Sequence, residues 1–457
     1  MRFCPEQGKT NMPEAHVVNT EPNKPVLPQT AGGRLRWGIV GLVALATIIN
    51  YIDRGALGYL WPTISEELSL TKQDYATISI VFTFSYALGQ TIFGKLFDWI
   101  GTRLGFVLSI GVWSIATALH AFASTVLTFS LFRGLLGVAE AGNWPGAAKA
   151  NAEWFPIRER ALAQGIFNSG AAIGGIISPL LMALLVTFFS WQVIFIIIGL
   201  VGLLWLVPWL ALYRAPPESH PFLSESERQY ILTGQKQTDN GLSDDDYNPG
   251  TGEMLSRRES WGAILSAAFL DPIWWLFVFW IPIYLNETYG FNPQEIGLYA
   301  WVPYVGAMFG AWFGGLLAQN RIKAGWTVNK TRKFTITLGG LLMLPALLAM
   351  SAPGSATNAV LLMAVILFGF QTAVGNIQTL PSDLYGGKSV GSLAGYAGTA
   401  AKLGAAALTW LVPRITETSY TPAFIIGAAL AILAVASVWI FIPKIEPLQP
   451  KSARSTI

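Results

Sequence analysis

Several charged residues of this sequence lie inside strongly apolar stretches. Asp53 and Arg54 are adjacent, and Arg133, Glu140 and Lys402 follow further along the chain. A charged side chain at the centre of a membrane helix costs about 2.5–3.5 kcal/mol on insertion scales, so such residues are rare without a function. A guanidinium in a dry pocket can bind a carboxylate through two hydrogen bonds, and a buried carboxyl group can load and release a proton. These residue types are therefore suited to anion binding and proton transfer.

Helix geometry limits how these charges can pair. Asp53 and Arg54 point in different directions on a helix, so each needs a partner elsewhere. Arg133 and Glu140 are seven residues apart, which places them on one helix face but too far apart to pair. Counting depth from the helix ends, we expect Asp53 to lie with Arg133, and Arg54 near Glu140. The alternative is a static ion-pair cluster that locks two helices, although buried pairs are poor stabilisers compared with apolar packing.

The composition indicates a polytopic membrane protein, because 53% of the 457 residues are hydrophobic and only 12% are charged. The sequence predicts an all-α fold of twelve membrane-spanning helices in two six-helix halves. The predicted spans are 37–60, 76–97, 104–123, 126–149, 160–187, 191–213, 262–286, 295–318, 334–351, 358–381, 390–413 and 420–442.

The distribution of Lys and Arg predicts the orientation. Outside the spans, only Lys72 and Arg414 lie in odd-numbered loops, so the positive-inside rule places both termini in the cytoplasm. The single cysteine, Cys4, excludes an intrachain disulfide and a Cys-based metal site. The expected organisation is a disordered cytoplasmic tail at 1–33, an N-terminal half at 34–213, a cytoplasmic linker at 214–260, a C-terminal half at 261–443 and a cytoplasmic tail at 444–457.

The loop after the second span carries a glycine-rich motif with one acid and one base. Its sequence resembles the loop motif of the major facilitator superfamily: Gly94-Lys95-Leu96-Phe97-Asp98-Trp99-Ile100-Gly101-Thr102-Arg103. Glycines let helix ends approach closely, and Asp98 can bind a basic residue at a helix N-terminus, which would latch the outward-open state. A tight solvated turn is the alternative. In the second half Gln319 replaces the acid, which puts a matching latch there in doubt.

Longer motifs narrow the resemblance to the anion:cation symporter branch of that superfamily. Over residues 34–443 the chain is most similar to bacterial hexuronate and galactonate permeases. The motifs are Tyr51-x-Asp53-Arg54, Arg133-x₃-Gly137-x₂-Glu140-Ala141, Glu153-Trp154-Phe155-Pro156-x₂-Glu159-Arg160 and Trp280-x-Pro282-x-Tyr284-Leu285.

The resemblance implies a proton-coupled symporter that imports a monosaccharide acid, such as galacturonate or glucuronate, by alternating access. It implies that Arg54 holds the substrate carboxylate, and that Tyr51 and Tyr86 donate hydrogen bonds in the pocket. Asp53 and Glu140 would take up the coupling protons, with Arg133 beside them. It further implies a multi-pass protein of the inner (plasma) membrane, a monomer, with H⁺ as coupling ion and no cofactor, metal or nucleic-acid partner.

Three further residues are candidate substrate contacts. Asn168 could bind a sugar hydroxyl, or could serve helix packing among the glycines of the fifth span. Lys402 lies too deep in the eleventh span to snorkel, and the resemblance assigns it no role. We hypothesise that it contacts a second carboxylate or a keto or hydroxyl oxygen; alternatively it pairs with Glu140 or is neutral. Tyr284 suits a sugar, but equally suits helix packing or an interfacial belt.

Other functions remain open at this point. Galactonate, an unsaturated keto-uronate or another organic anion could be the substrate, and sodium could replace the proton. A membrane enzyme would need a nucleophile–base pair or metal ligands, whereas the three histidines are scattered along the chain. A channel would show a repeated pore motif and no buried carboxylate–arginine network.

Overall fold

The computed structural model describes Met1 and residues 34–236, 249–385 and 387–449. The predicted N-terminal tail apart from Met1, the middle of the predicted linker and residues 450–457 lie outside the described residues. The side chain of Asp98 is also outside the described part.

Helices account for nearly all of the regular structure in these residues. The first half and the linker contain α1 (Leu35–Leu68), α2 (Lys72–Leu119), α3 (Val126–Glu140), α4 (Asn143–Trp154), α5 (Ile157–Leu185), α6 (Trp191–Leu212), α7 (Glu225–Lys236) and α8 (Thr251–Leu255). The second half contains α9 (Arg258–Tyr289), α10 (Pro293–Tyr299), α11 (Val302–Lys323), α12 (Val328–Ala349), α13 (Ala356–Gln378), α14 (Leu380–Leu384), α15 (Gly387–Ile415) and α16 (Thr421–Phe441).

Among the described residues, ten helical segments are long and apolar enough to cross a membrane. These segments are Leu35–Leu68, Lys72–Phe97, Trp99–Phe122, Ala163–Leu185, Trp191–Leu212, Arg258–Tyr289, Pro293–Lys323, Val328–Ala349, Ala356–Leu384 and Thr421–Phe441. The predicted fourth and eleventh spans do not meet these criteria. The fourth is divided between two short helices, α3 and α4, and the eleventh, α15, is rich in glycine and carries Lys402. The twelve-span count therefore stays a prediction.

Two local features interrupt the helices where the sequence contains glycine and proline. Gly101 has φ of +80°, a conformation that glycine adopts at little cost, and the chain kinks there between the second and third predicted spans. The fourth span breaks after Glu140, where Gly142 is followed by Pro145. Proline cannot donate the backbone hydrogen bond that would continue the helix. Glu140 therefore lies at the end of a discontinuous helix, as binding residues of many transporters do.

The linker packs against one end of the helix bundle, which we call the linker face. Arg36, at the start of α1, donates to Glu159 of α5 at 3.0 Å and to Glu227 of α7 at 2.8 Å. Ile231 of α7 is fully buried. The chain following α16 returns to the same face, where Lys333 donates to the carbonyl oxygen of Pro443 at 2.8 Å. The linker is thus partly helical and contributes buried side chains.

The two halves contact one another at the opposite end, which we call the far face. Nζ of Lys72 lies 2.6 Å from a carboxylate oxygen of Glu287, in the other half. One turn along α2, the hydroxyl of Tyr75 donates to the carbonyl oxygen of Phe279 at 2.8 Å. A Cβ added at Gly297 would lie 2.5 Å from the carbonyl oxygen of Pro179, so the backbones of the two halves approach closely here. These contacts close the far face.

Candidate functional site

A buried ion pair joins α1 to the end of α3. Nε and Nη2 of Arg54 donate to one oxygen of Glu140, Oε2, at 3.2 and 3.0 Å. Nη2 also donates to Oδ1 of Asn50, one helical turn away, at 2.9 Å. Arg54 is 3% exposed and Glu140 is fully buried. The expected proximity of Arg54 and Glu140 is therefore present, whereas the sequence reading missed Asn50.

Aromatic rings enclose the guanidinium of Arg54. Its Cζ lies 4.8 Å from the ring centre of Tyr51 and 5.1 Å from that of Tyr86. The ring of Trp275 in the other half lies 5.3 Å away, and that of Phe82 lies 5.6 Å away. Aromatic faces attract cations, and more strongly where water is excluded. The structure thus places two of the predicted pocket residues, Tyr51 and Tyr86, beside Arg54, together with a residue from the second half.

Asp53 and Arg133 do not form the expected pair. Nη2 of Arg133 instead donates to the backbone carbonyl oxygen of Arg54 at 2.7 Å, and its guanidinium lies over the ring of Phe82. This position directs Arg133 toward the helix backbone rather than toward the carboxyl group. Both carboxyl oxygens of Asp53, and Nε and Nη1 of Arg133, are buried without a hydrogen-bond partner among the described residues.

A second ion pair lies in the C-terminal half, beside Trp275. Nζ of Lys402 on α15 lies 2.6 Å from Oδ2 of Asp271 on α9. The indole nitrogen of Trp275 donates to the same oxygen at 2.8 Å, and Nζ of Lys402 lies 4.9 Å from the Trp275 ring centre. The partner of Lys402 is therefore Asp271 and not Glu140. The sequence reading missed Asp271, although a lysine deep in a span requires an acid nearby and Asp271 is inside the seventh span.

An open helix face leads from Lys402 toward the linker face. Gly398, Gly395 and Gly391 lie on the same side of α15 as Lys402, at spacings of three and four residues. A Cβ added at any of these three glycines would meet no atom within 4 Å. Because Lys402 contacts Trp275, which packs on Arg54, this face begins beside the Arg54 cluster.

Two of the predicted substrate contacts lie apart from this cluster. Tyr284 packs among Tyr289, Tyr420 and Phe424 near the far face. It is nine residues beyond Trp275 on α9, or roughly 13 Å along the helix, so its role as a substrate contact stays a prediction. Asn168 is exposed and accepts a hydrogen bond from Gln164 at 3.0 Å, closer to the linker face than Tyr51.

The predicted latch residues lie at the kink between the second and third spans. Gly94 has open space around its Cα, and the carbonyl oxygen of Arg103 accepts from the indole nitrogen of Trp209 at 3.1 Å. Next to Arg103, the hydroxyl of Thr102 donates to Glu153 at 2.8 Å. The Asp98 side chain, which the predicted latch requires, lies outside the described part. The latch therefore stays a prediction.

The two cations, Arg54 and Lys402, are suited to binding an anion. Arg54 presents a planar set of donors in a largely dry, aromatic pocket, a setting in which guanidinium–carboxylate hydrogen bonds are strong. Lys402 supplies a second cation, an ammonium group, from the opposite half. No group of three or more His, Cys, Asp and Glu side chains suited to a metal ion occurs within the part of the chain that is described.

The chain is similar in sequence to known membrane transporters. A family model described as Major Facilitator Superfamily matches residues 43–409. The hexuronate transporter of Escherichia coli (strain K12) is 32% identical over 425 residues, which cover 91% of this chain and 96% of that protein. The galacturonate transporter of Dickeya chrysanthemi is 35% identical over 316 residues, or 68% of this chain and 89% of that protein.

The fold also matches solved structures. The crystal structure of a D-xylose-proton symporter superposes with a TM-score of 0.68 at 14% sequence identity, covering 89% of this chain and 98% of that one. At this level of identity the likeness concerns the fold alone.

Proposed function

The chain belongs to the major facilitator superfamily, and we propose on that premise that it imports a monosaccharide acid together with protons. Its family and its relatives are transporters, so the protein is a membrane transporter and not an enzyme. The proposed substrate is a hexuronate such as galacturonate or glucuronate. The proposed location is the inner (plasma) membrane, with twelve spans, cytoplasmic termini and a monomeric state.

The observation that carries the proposal is the position of Arg54. Its guanidinium lies between the two halves, bound to a single oxygen of Glu140 and enclosed by Tyr51, Tyr86 and Trp275. A substrate carboxylate can take over these donors, since both groups offer the same oxygen acceptors. The displaced Glu140 would then need a proton, because an unpaired buried carboxylate is costly. Exchange of partners at Arg54 therefore couples binding of the anion to uptake of a proton.

Asp53 supports the same coupling. Its two carboxyl oxygens are buried without a hydrogen-bond partner among the described residues, and Arg133 bonds instead to the neighbouring backbone carbonyl oxygen of Arg54. An isolated carboxylate charge in such surroundings is unfavourable, and a bound proton removes the cost. We propose that Asp53 carries a coupling proton, with Arg133 as the neighbouring positive charge.

The closed far face and the open glycine face of α15 define the proposed route. We propose that this conformation opens toward the linker face, which the positive-inside rule places in the cytoplasm. Substrate would leave along Gly398, Gly395 and Gly391 after release from Arg54. Opening of the far face requires the Lys72–Glu287 pair and the Tyr75–Phe279 hydrogen bond to break.

Uptake by proteoliposomes containing the purified full-length chain tests this function. An imposed inward proton gradient should drive accumulation of labelled galacturonate above its external concentration. A sodium gradient in place of the proton gradient should leave the vesicles at equilibrium with the medium, whereas accumulation under sodium would assign sodium coupling. Competition by galactonate, by an unsaturated keto-uronate and by other organic anions identifies the preferred substrate. Absence of uptake for every sugar acid would contradict the proposal.

A further inference from the structure

The Asp271–Lys402 pair differs from the Arg54–Glu140 pair in its accessibility. The side chains of Asp271 and Lys402 are 21% and 15% exposed, compared with 0% for Glu140 and 3% for Arg54. Both contacts of Asp271, from Lys402 and from Trp275, fall on Oδ2. An ammonium group has three donors, so Lys402 can bind a further acceptor while Asp271 remains in place. This pair can therefore receive a ligand without unpacking the protein.

Trp275 contacts both cations and so sets an upper limit on the distance between them. Its ring centre lies 5.3 Å from Cζ of Arg54 and 4.9 Å from Nζ of Lys402, so the cations are at most about 10 Å apart. A six-carbon sugar acid measures roughly 6 Å between its terminal carbon atoms, given bonds of about 1.5 Å. Hydrogen bonds add roughly 3 Å at each end. One molecule can thus reach Arg54 with one end and Lys402 with the other.

We propose that Asp271 is a selectivity residue that makes this transporter favour sugar acids with one carboxylate over those with two. The inference rests on the proposed function. With Asp271 charged, Lys402 is already neutralised, and a second substrate carboxylate at that position would meet a like charge. A hexuronate brings only hydroxyl or carbonyl oxygens to this end. These accept hydrogen bonds from the remaining donors of Lys402 without displacing Asp271.

The test compares binding of galacturonate and galactarate, which carry one and two carboxylates, to the purified full-length protein by titration calorimetry. Asp271→Asn keeps an oxygen acceptor for the indole of Trp275 but removes the charge. We expect the ratio of the two affinities to shift toward galactarate by at least about tenfold, since each tenfold step corresponds to about 1.4 kcal/mol and one close charge interaction supplies this amount. Glu225→Gln, an exposed carboxylate on the linker helix α7, is the matched control and should leave the ratio unchanged.

A second variant keeps the test decisive if Asp271→Asn does not fold. Lys402→Met leaves the charge of Asp271 uncompensated, so the ratio should move in the opposite direction, toward galacturonate. An unchanged ratio in either variant, with galacturonate still bound, would overturn the role of Asp271 and leave the proposed function standing. Failure of the wild-type protein to bind both sugar acids would overturn the proposed function, and this inference with it.

Discussion

The indole ring of Trp275, from the C-terminal half, packs against the guanidinium of Arg54, from the N-terminal half, with 5.3 Å between the ring centre and Cζ. The same indole donates its hydrogen bond to Asp271, so one side chain connects the two ion pairs. In a transporter whose two halves rock around a central binding site, a contact between the halves such as Trp275–Arg54 lies beside the substrate in both conformations.

Replacing Trp275 should weaken substrate binding without blocking the proposed substrate route along α15. A cation–π contact is worth about 0.5–2 kcal/mol, so Trp275→Ala should raise the apparent Kd for galacturonate by roughly two- to thirtyfold. Trp275→Phe keeps a ring and should retain most of the affinity. Trp261→Ala removes an exposed tryptophan from the same helix and serves as the control. Wild-type affinity in Trp275→Ala would exclude a role for the ring in binding.

Neutralising Asp53 should separate exchange from accumulation. Asp53→Asn has nearly the same shape but cannot release a proton, so counterflow of labelled substrate should persist while accumulation driven by a pH gradient is lost. Counterflow and gradient-driven uptake, measured in the same vesicles, give both quantities. Glu225→Gln is again the control for loss of one carboxylate. Accumulation at the wild-type level by Asp53→Asn would contradict the assignment.

Filling the open face of α15 should block the proposed route. Gly395→Trp introduces a large ring where a Cβ meets no atom within 4 Å, so the chain should fold while transport is lost. Gly111→Trp on α2 is the matched control, because Gly111 also has open space around its Cα and is remote from Lys402 in sequence. Transport rate and thermal stability are both measured. A rate that is unaffected by Gly395→Trp would place the route elsewhere.

Locking the far face should arrest the transport cycle. Nζ of Lys72 lies 2.6 Å from a carboxylate oxygen of Glu287, and Cys4 is the single native cysteine. In a Cys4→Ser background, Lys72→Cys together with Glu287→Cys should be joined by a short cross-linker that forms a disulfide with each thiol. Uptake should stop on cross-linking and return on reductive cleavage. Full transport by the cross-linked protein would show that the far face does not need to open.

Sequence reasoning predicted the proximity of Arg54 and Glu140 because two constraints act together there. Helix periodicity and depth in the membrane place Arg54 near Glu140, and few other partners are available in an apolar bundle. The same logic did not give the Arg133 contact, because an arginine side chain is long enough to reach a backbone carbonyl as well as a carboxylate. Depth alone could not separate these two outcomes.

The C-terminal site was less predictable. Lys402 was recognised as unusual, but its partner Asp271 lies on a different helix, and nothing in one sequence specifies which helices are neighbours. The surroundings of Tyr284 were not predictable either, since its residue type suits a sugar while its position along α9 puts it near the far face. The division of the fourth span was foreseeable from Gly142 and Pro145, yet hydropathy alone treats the span as continuous.

The central claim is that Arg54 recognises the substrate carboxylate. The most direct test is binding of galacturonate to purified wild-type protein and to Arg54 variants. Wild type should bind galacturonate and fail to bind galactose, which lacks the carboxylate. Arg54→Lys keeps the charge but not the planar pair of donors and should lose roughly 10- to 100-fold in affinity, while Arg54→Ala should show no binding. Equal binding of galactose and galacturonate by the wild type, or undiminished binding of galacturonate by Arg54→Ala, would contradict the account.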